Sequence, residues 1–194
     1  MKAYYDQRAP EYDDWWLGEG LYAGRVRPGW DEERAELERF VHTLPPTRTL
    51  DVACGTGFLT RHLPGEVVAL DASERMLEVA REQAPGAEFV RGDALSLPFE
   101  DDTFARVFTS YFYCHLDEQD RRQFLAEARR VAPELVVVAS MPGAGDALER
   151  WEERTLKDGS TWTVFKRVFT GSQLAEELGG DALFEGKWFV VVRA

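Results

Sequence analysis

Two hydrophobic rhythms alternate along the chain. Between Asp31 and Leu44, apolar Leu37, Phe40, Val41 and Leu44 fall three, one and three residues apart, which is the period of an amphipathic helix. Pro45-Pro46 ends it, because proline lacks the N–H that would continue the backbone ladder. Short apolar runs follow at Thr49–Ala53, Glu66–Leu70, Glu88–Val90, Ala105–Thr109 and Leu135–Ala139, and each reads as a strand. Helical spacing fills most of the gaps, at Phe58–Leu63, Ser73–Gln83 and Glu118–Val131, with Ser73-Glu74 as a helix start. Such alternation predicts βαβ units and a mostly parallel sheet. The tail breaks the pattern. Trp162–Phe169 and Phe184–Val192 read as strands around a short helix at Gly171–Leu178, and the last strand is expected to add to the sheet antiparallel.

A length of 194 residues predicts one domain, 1–194, with 1–44 as a helical cap and 45–194 as the α/β core. Composition, 44% hydrophobic and 30% charged, is globular. The formal charge of −12 disfavours nucleic-acid backbones and anionic membranes, and favours a cationic small ligand. Cys54 and Cys114 lie far apart without a C-x-x-C pattern, which excludes a disulfide framework and a zinc ribbon, and no metal site is read. The N-terminus lacks the apolar run of a signal peptide, and no run approaches the length of a membrane span. A cytoplasmic protein is expected.

Candidate chemistry gathers at strand ends, where open α/β sheets bind ligands. Gly55 and Gly57 follow the first strand, where glycine permits positive φ and close approach to a ligand. Asp71 ends the next strand, sixteen residues after Gly55; it is a ribose-binding carboxylate or a helix cap. Asp93, in Gly92-Asp93, is a turn residue or an acceptor for the exocyclic amine of a base. Together these features predict a nucleoside site. An NAD-type fingerprint requires a third glycine where Thr60 stands, and Asp51 beside a pyrophosphate would be repelled. S-adenosylmethionine carries no phosphate and two cationic groups, so an acid near the loop is favourable.

The stretches LDVACGTGFLT, VVALDASERMLEVAR, GDALSLPFEDDTFARVF and FLAEARRVAPE resemble the class I S-adenosylmethionine-dependent methyltransferases, closest to the small "type 11", ubiquinone/menaquinone-biosynthesis-like group. The likeness spans Tyr4 to Ser140 and includes the Tyr4-Tyr5-Asp6 to Tyr12-Asp13 opening. It implies a Rossmann-like, mostly parallel seven-stranded sheet with helices on both faces and an antiparallel C-terminal strand. It also implies that Asp51, Ala53, Gly55 and Gly57 line the methionine portion of the cofactor, with Cys54 as a small loop residue. Asp71 would hold the ribose, Ala72 and Met76 pack on the adenine, and Asp93 and Ala94 meet its edge; for Met76, core packing is the competing role. Thr109–Leu116 resembles the stretch facing the methyl group, with Ser110 at the cofactor and Tyr111, Tyr113 and His115 lining the reaction site. His115 is then the candidate base, against packing or helix capping for His115 and Tyr113.

With no second domain, acceptor recognition falls to Tyr4–Trp30, Ser110–Leu116 and Met141–Thr161. Trp15, Trp16 and Trp30 form an aromatic lid or cover the sheet, and Arg25 and Arg27 are candidates for an acceptor's anionic group. The function expected is methyl transfer to a small molecule. Alternatives are a non-catalytic methyltransferase-like binding subunit and an NAD-dependent oxidoreductase.

Overall fold

A computed structural model describes residues 2–194. Helices α1 (Lys2–Arg8), α2 (Asp14–Leu17) and α3 (Trp30–His42) precede strand β1 (Thr47–Val52). Then come β2 (Gly65–Asp71), α4 (Glu74–Gln83), β3 (Glu88–Arg91), β4 (Arg106–Ser110), α5 (Glu118–Val131) and β5 (Glu134–Ser140). The chain ends with β6 (Glu149–Thr155), β7 (Thr161–Arg167), α6 (Gly171–Leu178), β8 (Asp181–Glu185) and β9 (Phe189–Arg193). No helix among the described residues is long and apolar enough to cross a membrane.

Seven strands form one sheet in the order β3-β2-β1-β4-β5-β9-β8. The first five are parallel, and β9 pairs antiparallel with both β5 and β8. Strand period decides the layers. Leu50 and Val52 of β1, and Val68 and Leu70 of β2, point to the face covered by α5 and α6, where Phe124, Leu125, Leu174 and Leu178 complete the core. Val67 and Ala69 point the other way, toward α3, α4 and the tryptophans Trp16 and Trp30. Trp16 stacks on Phe58 with centroids 4.7 Å apart, and the Trp30 indole N–H donates to the Trp16 carbonyl at 2.8 Å. These two rings therefore cover the sheet, while Trp15 stays half-buried at its margin.

Three expectations need correction. Phe58–Leu63 forms only a 3₁₀ turn at Thr60–His62. Pro64 follows at once and forces Leu63 into an extended conformation (φ −70°, ψ 127°), so six residues cannot build a stable helix. Phe184–Val192 is two strands folded as a hairpin, turning at Gly186-Lys187-Trp188, so the sheet gains two antiparallel strands. Trp162–Phe169 supplies β7, which leaves the main sheet and pairs with β6 in a separate two-stranded ribbon.

That ribbon folds back over the carboxyl ends of the main strands and meets the N-terminal segment. Tyr4 packs with Leu156 and Val164, the Lys157 ammonium lies 2.6 Å from Asp14, and the Lys157 N–H donates to Glu11 at 2.9 Å.

Candidate functional site

Strand order reverses between β1 and β4, and both strands end beneath the N-terminal segment. A cavity of about 220 Å³ opens there. Its walls are the strand ends: Ala53 and Gly55 after β1, Asp71 to Ser73 after β2, Asp93 to Leu95 after β3, and Ser110 to Phe112 after β4. Met76, Tyr5, Tyr12 and His115 close the sides. The sequence-predicted residues Ala53, Gly55, Asp71, Ala72, Met76, Asp93, Ala94, Ser110, Tyr111 and His115 thus share one cavity.

The others sit elsewhere. Cys54 is buried with Ala69 and Leu77 under α4. Gly57 (φ +79°) brings the loop onto the same helix, where a Cβ would stand 3.2 Å from the Ala80 Cα. Gly57→Ala forces strained backbone and crowds the Ala80 backbone of α4, costing about 2 kcal/mol. Thermal denaturation should show Tm lower by roughly 4–8 °C. Tyr113 is corrected as a pocket residue: it is fully buried, and its hydroxyl donates to Glu177 at 2.7 Å in the core beside α5 and α6. Asp51 is also behind the wall. One of its oxygens accepts from the Thr60 hydroxyl at 2.6 Å, and the other, Oδ1, is buried with no partner. Burial foremost, reinforced by Asp71, raises its pKa to about 7.

Asp71 is held in place by the backbone. Oδ2 accepts from the Gly55 N–H at 2.9 Å and Oδ1 from the Ser73 N–H at 2.8 Å. Each carboxylate oxygen can accept two hydrogen bonds, so capacity on each remains for a ligand. Ser73 caps α4 by accepting from the Met76 N–H at 3.2 Å. Asp93 is exposed and accepts from the Leu95 N–H at 2.9 Å, forming a turn that presents Ala94. Both bland and functional features coincide in these acids.

Strain marks the same place. Ala53 (φ 57°) and Tyr111 (φ 60°) are two of the three non-glycine residues with positive φ among the described residues. Such residues cost about 1–3 kcal/mol and cluster at functional sites. The Tyr111 hydroxyl is buried without a hydrogen-bond partner.

The N-terminal segment is tied to this floor. The Ser73 hydroxyl donates to Asp6 and the Thr56 hydroxyl to Asp13, both at 2.6 Å, and the Gln83 amide also donates to Asp13.

A larger cleft of about 1140 Å³ adjoins the cavity, between the N-terminal segment and the β6–β7 ribbon. Tyr5, Tyr12, Tyr111 and His115 belong to both walls. His115 Nδ1 lies 2.7 Å from the Phe165 carbonyl, so that nitrogen carries the proton and Nε2 keeps its lone pair. Burial above all, then the fields of Lys166 and Arg154, holds the imidazole well below its usual pKa.

The two spaces differ in charge. The cavity carries Asp71, Asp93 and Asp120 against Lys2. The cleft carries seven Lys and Arg side chains against Asp146, Glu152 and Glu153, the reverse of the chain's net charge of −12. Arg25 and Arg27 are at its mouth as the sequence suggested, but Arg8, Arg154 and Lys166 were not foreseen. The signal was present in β6: inward positions Arg150, Glu152 and Arg154 alternate strictly with exposed Glu149, Trp151 and Glu153.

Residues 49–134 match a family model described as a methyltransferase domain. The chain is 32% identical over 146 residues to a demethylmenaquinone methyltransferase of Thermotoga maritima, covering 71% of this chain and 60% of that protein. A demethylmenaquinone methyltransferase of Renibacterium salmoninarum is 36% identical over 134 residues, covering 68% of this chain and 53% of the relative. The chain therefore spans little more than half the length of these relatives. Among solved structures, a DhpI–SAM–HEP complex superposes with a TM-score of 0.76 at 25% identity, covering 98% of this chain and 94% of that one. The glycopeptide N-methyltransferase MtfA shares the fold, with a TM-score of 0.59 at 24% identity over 84% of this chain and 88% of its own.

Proposed function

Because the chain belongs to the class I S-adenosylmethionine-dependent methyltransferases, we propose that it moves a methyl group from S-adenosylmethionine to a small-molecule acceptor held in the cleft. The observation that carries this is the shared wall: an acidic cavity of about 220 Å³ adjoins a second, larger space, with Tyr5, Tyr12, Tyr111 and His115 lining both.

The residues present suit the cofactor. Asp71, with capacity remaining on each oxygen, accepts from the two ribose hydroxyls. Met76 and Ala72 flank the base, and Asp93 and Ala94 meet its edge. The Gly55 loop receives the methionine portion, and the orphaned Asp51 oxygen behind it supplies negative potential. When bound, S-adenosylmethionine supplies a methyl carbon already activated by a sulfonium.

The protein's task is alignment and exclusion of water. Correct positioning alone is worth about 7–11 kcal/mol in such reactions. Tyr5, Tyr12 and Tyr111 shape an aromatic passage whose ring faces favour a positive charge. His115 Nε2, unprotonated and free of other bonds, accepts a hydrogen bond from an acceptor's O–H or N–H and takes the proton as the new bond forms.

Incubation with radiolabelled S-adenosylmethionine and a metabolite extract tests the reading. A labelled small product is expected; adenosyl ligands that bind without any transfer would leave only a binding role.

Asp51 makes the donor site pH-sensitive. A carboxyl with pKa about 7 is half protonated at neutrality, whereas a cationic ligand favours the ionised form. Affinity for S-adenosylmethionine should therefore fall as pH drops below 7, with proton release on binding at pH 6 that vanishes by pH 9. Calorimetry in buffers of different ionisation enthalpy measures it. Folding stability runs in the opposite direction, because the folded-state pKa lies above the unfolded 3.8. That contribution is complete below pH 3.8 and is lost as pH rises through 7. Asp51→Asn should abolish both dependences.

A further inference from the structure

We infer that the cleft between the N-terminal segment and the β6–β7 ribbon holds its acceptor by an oxyanion, a carboxylate or phosphonate-type group seated against Lys166, Arg8 and the Tyr111 hydroxyl; the assignment rests on the methyltransferase reading above. Lys166 and Arg8 are 7% and 4% exposed. Buried cations are almost always paired, because an unpaired buried charge is costly. Neither has a carboxylate within 4.0 Å among the described residues. The Lys166 ammonium donates to the Ser140 hydroxyl at 2.6 Å and lies 5.3 Å from the centre of the Tyr111 ring. Arg8 donates to the hydroxyls of Tyr4 and Tyr22 and faces the Tyr12 ring at 4.9 Å.

The acids of the cleft are already used. Glu152 bridges Arg150 and Arg154, at 2.8 and 2.9 Å, and Asp146 lies 3.9 Å from Arg150. Glu153 is exposed. An excess of positive charge therefore remains in the depth of the cleft, and its reach is visible in His115, whose protonation is opposed by Lys166, Arg154 and Arg8 together. The buried Tyr111 hydroxyl stands at the same wall, beside the Ser140 hydroxyl that Lys166 engages. An acceptor oxyanion in this cleft offsets the two buried cations and occupies a space that His115 also lines, next to the donor cavity. Around the head, Trp15, Trp30, Met141 and Trp188 offer apolar contact to the remainder of the molecule.

The test is calorimetry on the full chain. S-adenosylhomocysteine is titrated first; absence of binding overturns the methyltransferase reading and this inference with it. Methylphosphonate, propionate and neutral menadione are then titrated into the S-adenosylhomocysteine-loaded protein. Binding of one or both anions, weakening with added salt, is expected, and the stronger anion identifies the group. Lys166→Met and Arg8→Met should each weaken it at least tenfold, Lys166→Arg should retain it within about threefold, and S-adenosylhomocysteine affinity should not change. Arg122→Gln, exposed on α5, controls for net charge and should have no effect. Because it removes an uncompensated charge, Lys166→Met should not lower Tm. If it unfolds the protein, exposed Arg25→Gln at the mouth carries the test, with a two- to fivefold loss expected. Menadione binding without either anion, or anion binding indifferent to every one of these cleft substitutions, overturns the inference.

Discussion

Asp71→Ala should weaken S-adenosylhomocysteine binding by roughly two to three orders of magnitude in calorimetric titration. The side chain bridges two strand ends, fixing the Gly55 loop and the start of α4 while keeping capacity for a ligand on each oxygen. Hydrogen bonds to a charged group contribute about 1.5–3 kcal/mol apiece, and two are lost with the carboxylate. The Gly55 and Ser73 N–H groups lose their acceptor as well, so a fall in Tm accompanies the loss of affinity. Asp71→Asn separates the two effects. Its amide oxygen still accepts from one backbone N–H, so most of the stability returns while the ribose loses its paired acceptors. Unchanged affinity in both variants would show that the ribose lies elsewhere.

The second large effect concerns turnover. His115→Gln should lower kcat by about 10²–10⁴, the usual contribution of a positioned general base, while S-adenosylhomocysteine binding stays within twofold. The acceptor found with labelled cofactor provides the assay. The pH profile distinguishes chemistry from packing. Because burial and neighbouring cations hold His115 well below its ordinary 6.5, wild-type kcat at saturating S-adenosylmethionine should remain flat from pH 8 down through 6.5, with its acid limb only well below. An acid limb centred at 6.5 would exclude His115 as the group responsible. Stability follows the same residue. The unfolded imidazole takes a proton near pH 6.5 and the folded one resists, so this contribution is complete above 6.5 and is lost as pH falls. The Gln variant should lack that acid-side decline.

The donor half of the molecule was legible because its chemistry lies at strand ends that hydrophobic runs announce. Gly55, Asp71 and Asp93 each follow an apolar strand, and the parallel pairing of β1, β2 and β3 brings them to one rim. Of the cleft, the contributing segments Tyr4–Trp30 and Met141–Thr161 were legible, but the buried charges Arg8, Arg154 and Lys166 were not, for the opposite reason. β6, Glu149–Thr155, has a clean period of two, but charges and not apolar side chains occupy its inward positions. A pattern of Arg150, Glu152 and Arg154 reads as solvated loop until Lys166 and the N-terminal segment are seen across from it. Tyr113 was misplaced because the chain turns as a 3₁₀ helix at Tyr113–His115, sending its ring toward Glu177 while His115 stays at the cavity. Asp51 lies on a strand position facing away from the ligand, so its influence is electrostatic, and that distinction depends on strand register.

The β6–β7 ribbon forms its own two-stranded sheet, extended by the Val168 N–H on the Leu148 carbonyl and joined to the end of β5 by the Phe169 N–H on the Ser140 carbonyl. None of its strands contributes a hydrogen-bonded neighbour to the seven that build the donor cavity. Under the proposed function, acceptor choice therefore has its own evolutionary degree of freedom: substitutions on the ribbon away from Phe165, whose carbonyl holds His115, can reshape the cleft without altering the strand ends that line the donor cavity.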